Sequence, residues 1–430
     1  MLRVITENDR KVYNVVYNGV CHMIVRKIKP EEIKRTNELF AIAFEFEMDN
    51  TKSADEVYQD TLNNPKSRDD VYCLERWAAF EDDNKTMMSN FIATPFPIYF
   101  DGHQCNMVGI GGVASLPQYR RTGGIRACFE AALPSMYENG VDFSYLYPFS
   151  TAYYRKFGYE MCCERLRYRI RLSSIPFAHL SGSCHLLEQG HTMRDDIQDV
   201  YEAWQNKYNM MVINEAYEYE WVNQANPAKD QSFTYVYKAR NGVPKGFMTF
   251  IKERQGFEQH LKCTRFFFKD IEGFQGLMNL AYTYSSDHLY ITFEIPTDCD
   301  ITLLLPEWSM GAGSCEKVHC GMVRVVNVMQ VLKKARYIGN GCIVIEISDT
   351  TISENNNRFY VNFADGKAIT VCTTEQQADI SLTISQFSRF IVGACDTKAI
   401  TFLDSITTNT DFNTLASVFY KKPLLITQYF

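Results

Sequence analysis

Val113-Ala114-Ser115-Leu116-Pro117-Gln118-Tyr119-Arg120-Arg121-Thr122-Gly123-Gly124-Ile125-Arg126 is the stretch on which the reading of this chain turns. An apolar strand, Met107 to Leu116, runs into a short Arg/Gly turn, and the turn opens a helix. A helix start of this kind offers backbone N–H groups and the positive end of a helix dipole, which suits a pyrophosphate. Ile125, Phe129, Ala132 and Met136 follow at helical spacing, so one face turns inward and the glycine-rich end is left to meet a ligand. Adjacent arginines on a surface ordinarily form a solvated charge pair. The place of Arg120 and Arg121 beside Gly123-Gly124 argues for anion binding instead. About one helix later comes Tyr153-Tyr154-Arg155-Lys156-Phe157-Gly158-Tyr159.

A chain of 430 residues exceeds what one core usually serves, and about 150 residues per domain predicts roughly three domains. Hydrophobic residues at 46% and charged residues at 22% fit a soluble globular protein. No apolar run approaches the about 20 residues of a membrane helix, so no membrane partner is expected. The opening MLRVITENDRKVYN puts Glu7, Asp9 and Arg10 where an export signal carries its apolar centre, so a cytoplasmic location is expected. The 14 cysteines are scattered, mostly inside apolar runs, and read as reduced, buried side chains rather than disulfides. A net charge of −7 disfavours nucleic acid as a partner and mildly favours a cationic substrate. The 26 Tyr and 29 Phe read first as core, and they also permit an aromatic pocket or a subunit interface.

Along the chain, Ile24–Ile28 alternates as a strand and Pro30-Glu31-Glu32 starts a helix with Ile33, Phe40, Ala43 and Phe44 on one face. Val71 to Phe100 reads as strands around a turn at Asp82-Asp83-Asn84, giving a mixed α+β order. A second unit runs from the strand Arg167–Leu172 through a helix, Met193–Tyr208, and three strands to a helix near Phe274–Tyr284. It repeats the first in outline, but Asp270 and Glu272 stand where a phosphate would sit, so it reads as a non-binding copy. A third unit opens with Met322–Val328, a strand or a helix start. Strands Ile343–Ser348, Arg358–Phe363 and Ala368–Cys372 follow, then helices Ile384–Val392 and Asp411–Phe419. The end, Pro423–Phe430, reads as a docked apolar strand.

The Arg-Arg-Thr-Gly-Gly-Ile-Arg turn, the sequence Tyr154-x-x-Phe157-Gly158-Tyr159, the degenerate second unit and the C-terminal Phe430 together resemble the Eis-like (enhanced intracellular survival) acetyltransferases of the GNAT superfamily. The resemblance covers Met23 to Phe430. It implies an α+β chain with two tandem GNAT-like mixed-sheet domains followed by a domain resembling sterol carrier proteins. The implied bounds are an N-terminal extension over 1–22, an acetyl-CoA-binding domain over 23–167, a degenerate copy over 168–306 and the last domain over 307–430. Acetyl-CoA is then the acetyl donor, and the family suggests a hexamer. By position, the backbone of Val113, Ala114 and Ser115 pairs with the pantetheine arm. Arg121, Thr122, Gly123, Gly124, Ile125 and Arg126 wrap the pyrophosphate, and Phe149 and Ser150 lie near the thioester. Ile125 departs from the small residue usual at the third place of the turn.

An amine attacking a thioester must be neutral, yet an alkyl ammonium has a pKa of about 10.4, so a proton acceptor or a water relay is required. The resemblance assigns that role to the α-carboxylate of Phe430, whose reference pKa of about 3.5 has to rise by desolvation to act near neutrality. A departing thiolate, with a pKa of about 8.5, is well served by a phenol with a pKa of about 10. Tyr154 is the candidate acid. Without the motif, Tyr154 reads as a packed aromatic and Phe430 as a docked chain end.

Other signals carry less. Cys315-x-x-x-His319-Cys320 offers three soft ligands without the second pair a structural zinc needs, so no metal is expected. Cys162-Cys163 is too close in sequence for an unstrained bridge, and the histidines show no zinc-hydrolase spacing. Phe44-Glu45-Phe46-Glu47-Met48-Asp49 reads as a solvated acidic edge or as one wall of a pocket for a polycation. The reading is an acetyl-CoA-dependent N-acetyltransferase acting directly, in a ternary complex, on a primary amine of a cationic acceptor: an aminoglycoside, a polyamine or a lysine. The alternatives are a lipid or apolar-ligand carrier built on the last domain, and a protein that only sequesters CoA.

Overall fold

The computed structural model describes residues 2–7, 10–17, 21–223, 226–309, 311–403 and 406–430. The chain divides into two compact units, one made of residues 1–162, 321–422 and 428–430, the other of 163–320 and 423–427.

The first unit begins with β1 (Leu2–Glu7), β2 (Arg10–Tyr17) and β3 (Cys21–Lys27), a meander of antiparallel strands. The segment expected as an extension thus adds two strands to a sheet edge. The helix Ile33–Phe44 follows, then β4 (Arg76–Phe80), β5 (Met87–Phe100) and β6 (His103–Ser115), all antiparallel. The helix Gly124–Glu138 crosses to β7 (Phe143–Leu146), which pairs with β6 in parallel, and β8 (Glu160–Met161) comes after the short helix Thr151–Arg155. The inward face read from the sequence is buried: Ile125, Phe129, Ala132 and Met136 pack on Trp77, Phe91 and Val108. Phe129 stacks on Phe157 at 4.4 Å and touches Phe91 at 4.8 Å. A core phenylalanine of this kind contributes about 3–5 kcal/mol.

The second unit holds β9 (Glu164–Arg171), β10 (Ser183–Leu186), β11 (Ser232–Lys238), β12 (Pro244–Gln255), β13 (Glu258–Phe268), β14 (Tyr290–Pro296) and β15 (Gly313–His319) in one sheet, ordered β10-β11-β12-β13-β14-β9-β15. Its helices Arg194–Gln205 and Ile271–Tyr282 lie where the periodicity predicts them. β11, β12 and β13 are antiparallel, and the helix Ile271–Tyr282 then leads to β14, parallel to β13. The first unit uses the same order from β4 to β7.

The chain returns to the first unit with β16 (Met322–Val325), resolving the choice between strand and helix start: the strand ends before a helix, Val328–Lys334. β16 lies between β7 and β8 and completes a nine-stranded sheet, β1-β2-β3-β4-β5-β6-β7-β16-β8. β17 (Gly341–Ser348), β18 (Arg358–Ala364), β19 (Lys367–Thr373), β20 (Ile380–Thr383) and β21 (Thr407–Thr408) form a third sheet, with helices Ile384–Ile391 and Phe412–Val418. The last residues are not the strand the sequence suggests. Pro423–Phe430 makes one isolated bridge, Asn209 to Leu424. Side chains take its carbonyls instead: Arg165 donates to Ile426 within the second unit, and Tyr147 to Gln428 within the first.

Candidate active site

β6 and β7 pair only from Met107–Phe143 to Ile110–Leu146, while β6 runs on to Ser115. Beyond Ile110 the two strands part, and β6 keeps a hydrogen-bonded neighbour on the β5 side alone. The register on that side moves from Asn90–Ala114 to Ile92–Gly111, so β6 carries one extra residue. Gly112 supplies the left-handed conformation the bulge needs, at φ +56°. Val113, Ala114 and Ser115 follow it, and the side of their backbone away from β5 is open to an extended ligand. Ser115 Oγ is tied to Ser89 Oγ at 2.7 Å.

The turn below is built as the sequence suggests. Arg121 at φ +69° and Gly123 at φ +93° are both left-handed, and Thr122 N between them donates to the Tyr119 carbonyl at 3.4 Å. Thr122 Oγ1 donates to the Tyr119 carbonyl at 2.7 Å. No side chain caps the helix that begins at Gly124, so the N–H groups of its first turn point outward without an intrahelical partner. Arg120, Arg121 and Arg126 are exposed, and Ile125 is buried. The departure at Ile125 therefore faces the core and leaves the cradle clear.

The chain end occupies the fork. The Phe430 ring lies 5.0 Å from Phe96, 5.9 Å from Tyr145 and 5.5 Å from Tyr147. Tyr147 also stacks on Tyr429 at 4.6 Å, and its hydroxyl donates to the Gln428 carbonyl at 2.5 Å. Two bare positions of β6 make room. A Cβ at Gly109 would lie 2.8 Å from the Phe430 ring, and one at Gly111 2.5 Å from the terminal carboxyl carbon.

Tyr154 is buried in a neighbouring aromatic group with Phe129, Phe149, Tyr153 and Tyr159, centroids 5.3 to 6.4 Å away. Burial first, then the Tyr153 and Tyr159 phenols, hold its pKa well above the ordinary value. Ser150 caps the helix that carries Tyr154 by accepting from Tyr153 N at 3.3 Å. Phe149 is largely exposed, with its ring at the edge of this group. The structure thus gathers Phe149, Ser150 and Tyr154 at one place and seats Phe430 among Phe96, Tyr145 and Tyr147 at another. Residues 145–149 run between the two.

Tyr145, Tyr147, Phe96, Gly109 and Gly111 escaped the sequence reading, and so did Asp69. Thr94 stands opposite Gly109 on β5, so its side chain shares the face on which the Phe430 ring lies. Thr94 Oγ1 donates to Asp69 at 2.5 Å. Arg68 is buried with its guanidinium 5.0 Å from the Phe96 ring. Burial pushes the Asp69 carboxyl up, and the Thr94 bond and Arg76 offset it only in part. A carboxyl raised on folding binds its proton more tightly in the folded state. The associated stability is present at acid pH and lost as pH climbs from the unfolded value through the folded one. Asp69→Asn is therefore expected to raise the Tm near pH 7 and to change it little near pH 3, as thermal melts at the two pH values will show.

A family model described as an acetyltransferase (GNAT) domain matches residues 24–162. Residues 24–162 have a GNAT-superfamily acetyltransferase fold. The enzyme class that follows is N-acetyltransferase. A sterol carrier protein domain model matches residues 328–425. No curated protein matches the chain. Among solved structures, a probable N-acyltransferase from Enterococcus faecalis V583 is similar at 22% identity and TM-score 0.80, covering 95% of this chain and 100% of that one. A GCN5-related N-acetyltransferase from Anabaena variabilis ATCC 29413 is similar at 18% identity and TM-score 0.80, over 95% and 100% of the two chains. Eis1 from Mycobacterium abscessus is similar at 16% identity and TM-score 0.73, over 94% and 100%. These identities show a shared fold: a GNAT-like α+β architecture with a sterol carrier-like domain at the C-terminal end. Among the described residues no helix is long and apolar enough to cross a membrane, and no group of His, Cys, Asp and Glu could hold a metal.

Proposed function

We propose that the protein moves acetyl from acetyl-CoA to a primary amine of a cationic acceptor in a direct, ternary-complex reaction. The observation that carries this reading is the terminal carboxyl of Phe430 seated against Gly111, in the fork where β6 leaves β7. Acetyl-CoA brings the activated acetyl group, and the residues present fit it. The exposed Arg120, Arg121 and Arg126 and the uncapped first turn at Gly124, Ile125 and Arg126 suit a pyrophosphate. The open backbone of Val113, Ala114 and Ser115 suits a pantetheine arm that pairs as an added strand. The Phe430 carboxylate accepts the proton the amine loses on attack. Tyr154 donates its phenolic proton to the departing sulfur, and its raised pKa keeps that proton in place at neutral pH.

The same reading takes residues 23–167, 168–306 and 307–430 as catalytic, degenerate and sterol carrier-like domains. In the degenerate copy, Asp270 accepts from Gly273 N at 3.0 Å and pairs with Lys245 at 2.6 Å. A carboxylate thus fills the helix start where the first domain leaves its N–H groups free. The cysteines whose side chains are described are all free thiols, in keeping with a cytoplasmic home. We infer a hexamer on the resemblance to the Eis-like family alone.

The test is CoA release from acetyl-CoA across aminoglycosides, polyamines and lysine, read beside the Tm with and without acetyl-CoA. Release that requires the amine, with a Tm raised by acetyl-CoA, supports the transferase. Co-purified lipid with neither effect supports a carrier built on residues 328–425, and a raised Tm without turnover supports CoA sequestration.

A further inference from the structure

Arg324 on β16 is fully buried, and so is Asp349. Its Nη2 meets both carboxylate oxygens of Asp349, at 2.9 and 2.7 Å, and its Nη1 donates to the Phe157 carbonyl at 2.5 Å. That carbonyl belongs to the turn that closes behind Tyr154. The Tyr154 carbonyl accepts from Phe157 N at 2.9 Å and from Tyr159 N at 3.4 Å, so the backbone of Tyr154 is tied to the turn at two points. Gly158, between them, sits at φ +80°, and a Cβ there would lie 1.8 Å from Arg324 Nη1. A bare residue is what lets the guanidinium reach the carbonyl.

Asp349 is held in place apart from Arg324. It accepts from Thr351 N at 2.9 Å, Ile352 N at 3.2 Å and Asn355 Nδ2 at 3.1 Å. The anion is a fixed anchor, and Arg324 spans from it to the turn. A buried ion pair is weak evidence for stability, because apolar residues of similar volume often serve as well or better. A planar fork with two arms has a use that apolar residues lack: it fixes one backbone carbonyl relative to one carboxylate.

We propose that Arg324, anchored by Asp349, is a positioning residue for Tyr154, clamping the turn that sets where the phenol stands. The proposal rests on the reading of Tyr154 as the acid. A misplacement of about 1 Å can cost about a hundredfold in rate, so the clamp would act on turnover without touching either substrate.

Arg324→Lys keeps a charge against Asp349 and loses the second arm. Its kcat, its KM for acetyl-CoA and its Tm are to be measured in the native and the Tyr154→Phe backgrounds. The expected result is a kcat lower by about tenfold or more in the native background, a KM within about twofold, and no further loss when Tyr154 is already Phe. An equal fold-loss in both backgrounds, or an unchanged kcat in the native one, overturns the clamp. Should Arg324→Lys not fold, Asp349→Asn, which keeps the shape of the anchor, is judged in the same cycle by the same outcomes. Full turnover by Tyr154→Phe alone would overturn the acid assignment and the clamp with it. A native chain that releases no CoA with any amine would show that the transferase reading itself has failed.

Discussion

A chain extended by one residue beyond Phe430 is expected to lose amine-dependent turnover by about 10²–10⁴-fold, the usual range for removing a general base, while acetyl-CoA still raises its Tm. The extension converts the terminal carboxylate into an amide, which cannot take a proton from the attacking amine. It also has nowhere to go. The Phe430 carboxyl carbon lies where a Cβ on Gly111 would come within 2.5 Å, and the ring is boxed by Phe96, Tyr145 and Tyr147. Gly111→Ala perturbs the same place from the other side. The added methyl must displace backbone rather than the free end of a side chain, so the carboxylate moves away from the fork. Both variants leave the pyrophosphate turn at Arg121–Arg126 untouched, so donor binding and turnover should separate. Steady-state assays with acetyl-CoA and a saturating amine, paired with thermal shifts, read the two effects independently. Native turnover in either variant would remove Phe430 from the mechanism.

The physics behind the partition between what could and could not be read in advance is local against non-local. The helix Gly124–Glu138 announced itself because Ile125, Phe129, Ala132 and Met136 recur at its own period, and the same residues are buried. The turn before it was legible because left-handed conformations favour glycine, and Gly123 adopts one. Arg121 adopts one too, with no glycine to signal it. The fork was invisible. It depends on where the parallel pairing of β6 with β7 stops, and register across a helical crossover leaves no mark in either strand alone. A clue did lie in Gly109-Ile110-Gly111-Gly112, where two glycines at i and i+2 bare one face of a strand that is otherwise apolar. Asp69 sits in Arg68–Val71, a four-residue helix too short to show a period. The terminal segment misled because apolar content resembles a strand, whereas Tyr147 and Arg165 satisfy its carbonyls with side-chain donors.

Tyr154→Phe should lower kcat by about 10²–10³-fold with little change in KM for acetyl-CoA, because the lost hydroxyl acts only as the carbon–sulfur bond breaks. The ring itself stays. Its contacts with Phe129, Phe149, Tyr153 and Tyr159 are edge and face contacts that a phenyl group preserves, so the Tm should move little. The pH profile adds a sharper test. Activity should rise with pH as a growing fraction of the amine loses its proton, whose ordinary pKa is about 10.4. An unperturbed phenol with a pKa of about 10 would start to fail as an acid in the same region. Burial raises Tyr154 above that, so its acid form persists and the native profile should show no falling limb up to about pH 10. A falling limb centred well below that, and absent from Tyr154→Phe, would mean that the phenol titrates in contact with water during turnover. The buried geometry around Phe129 and Phe157 would then not be the one in which acetyl transfer takes place.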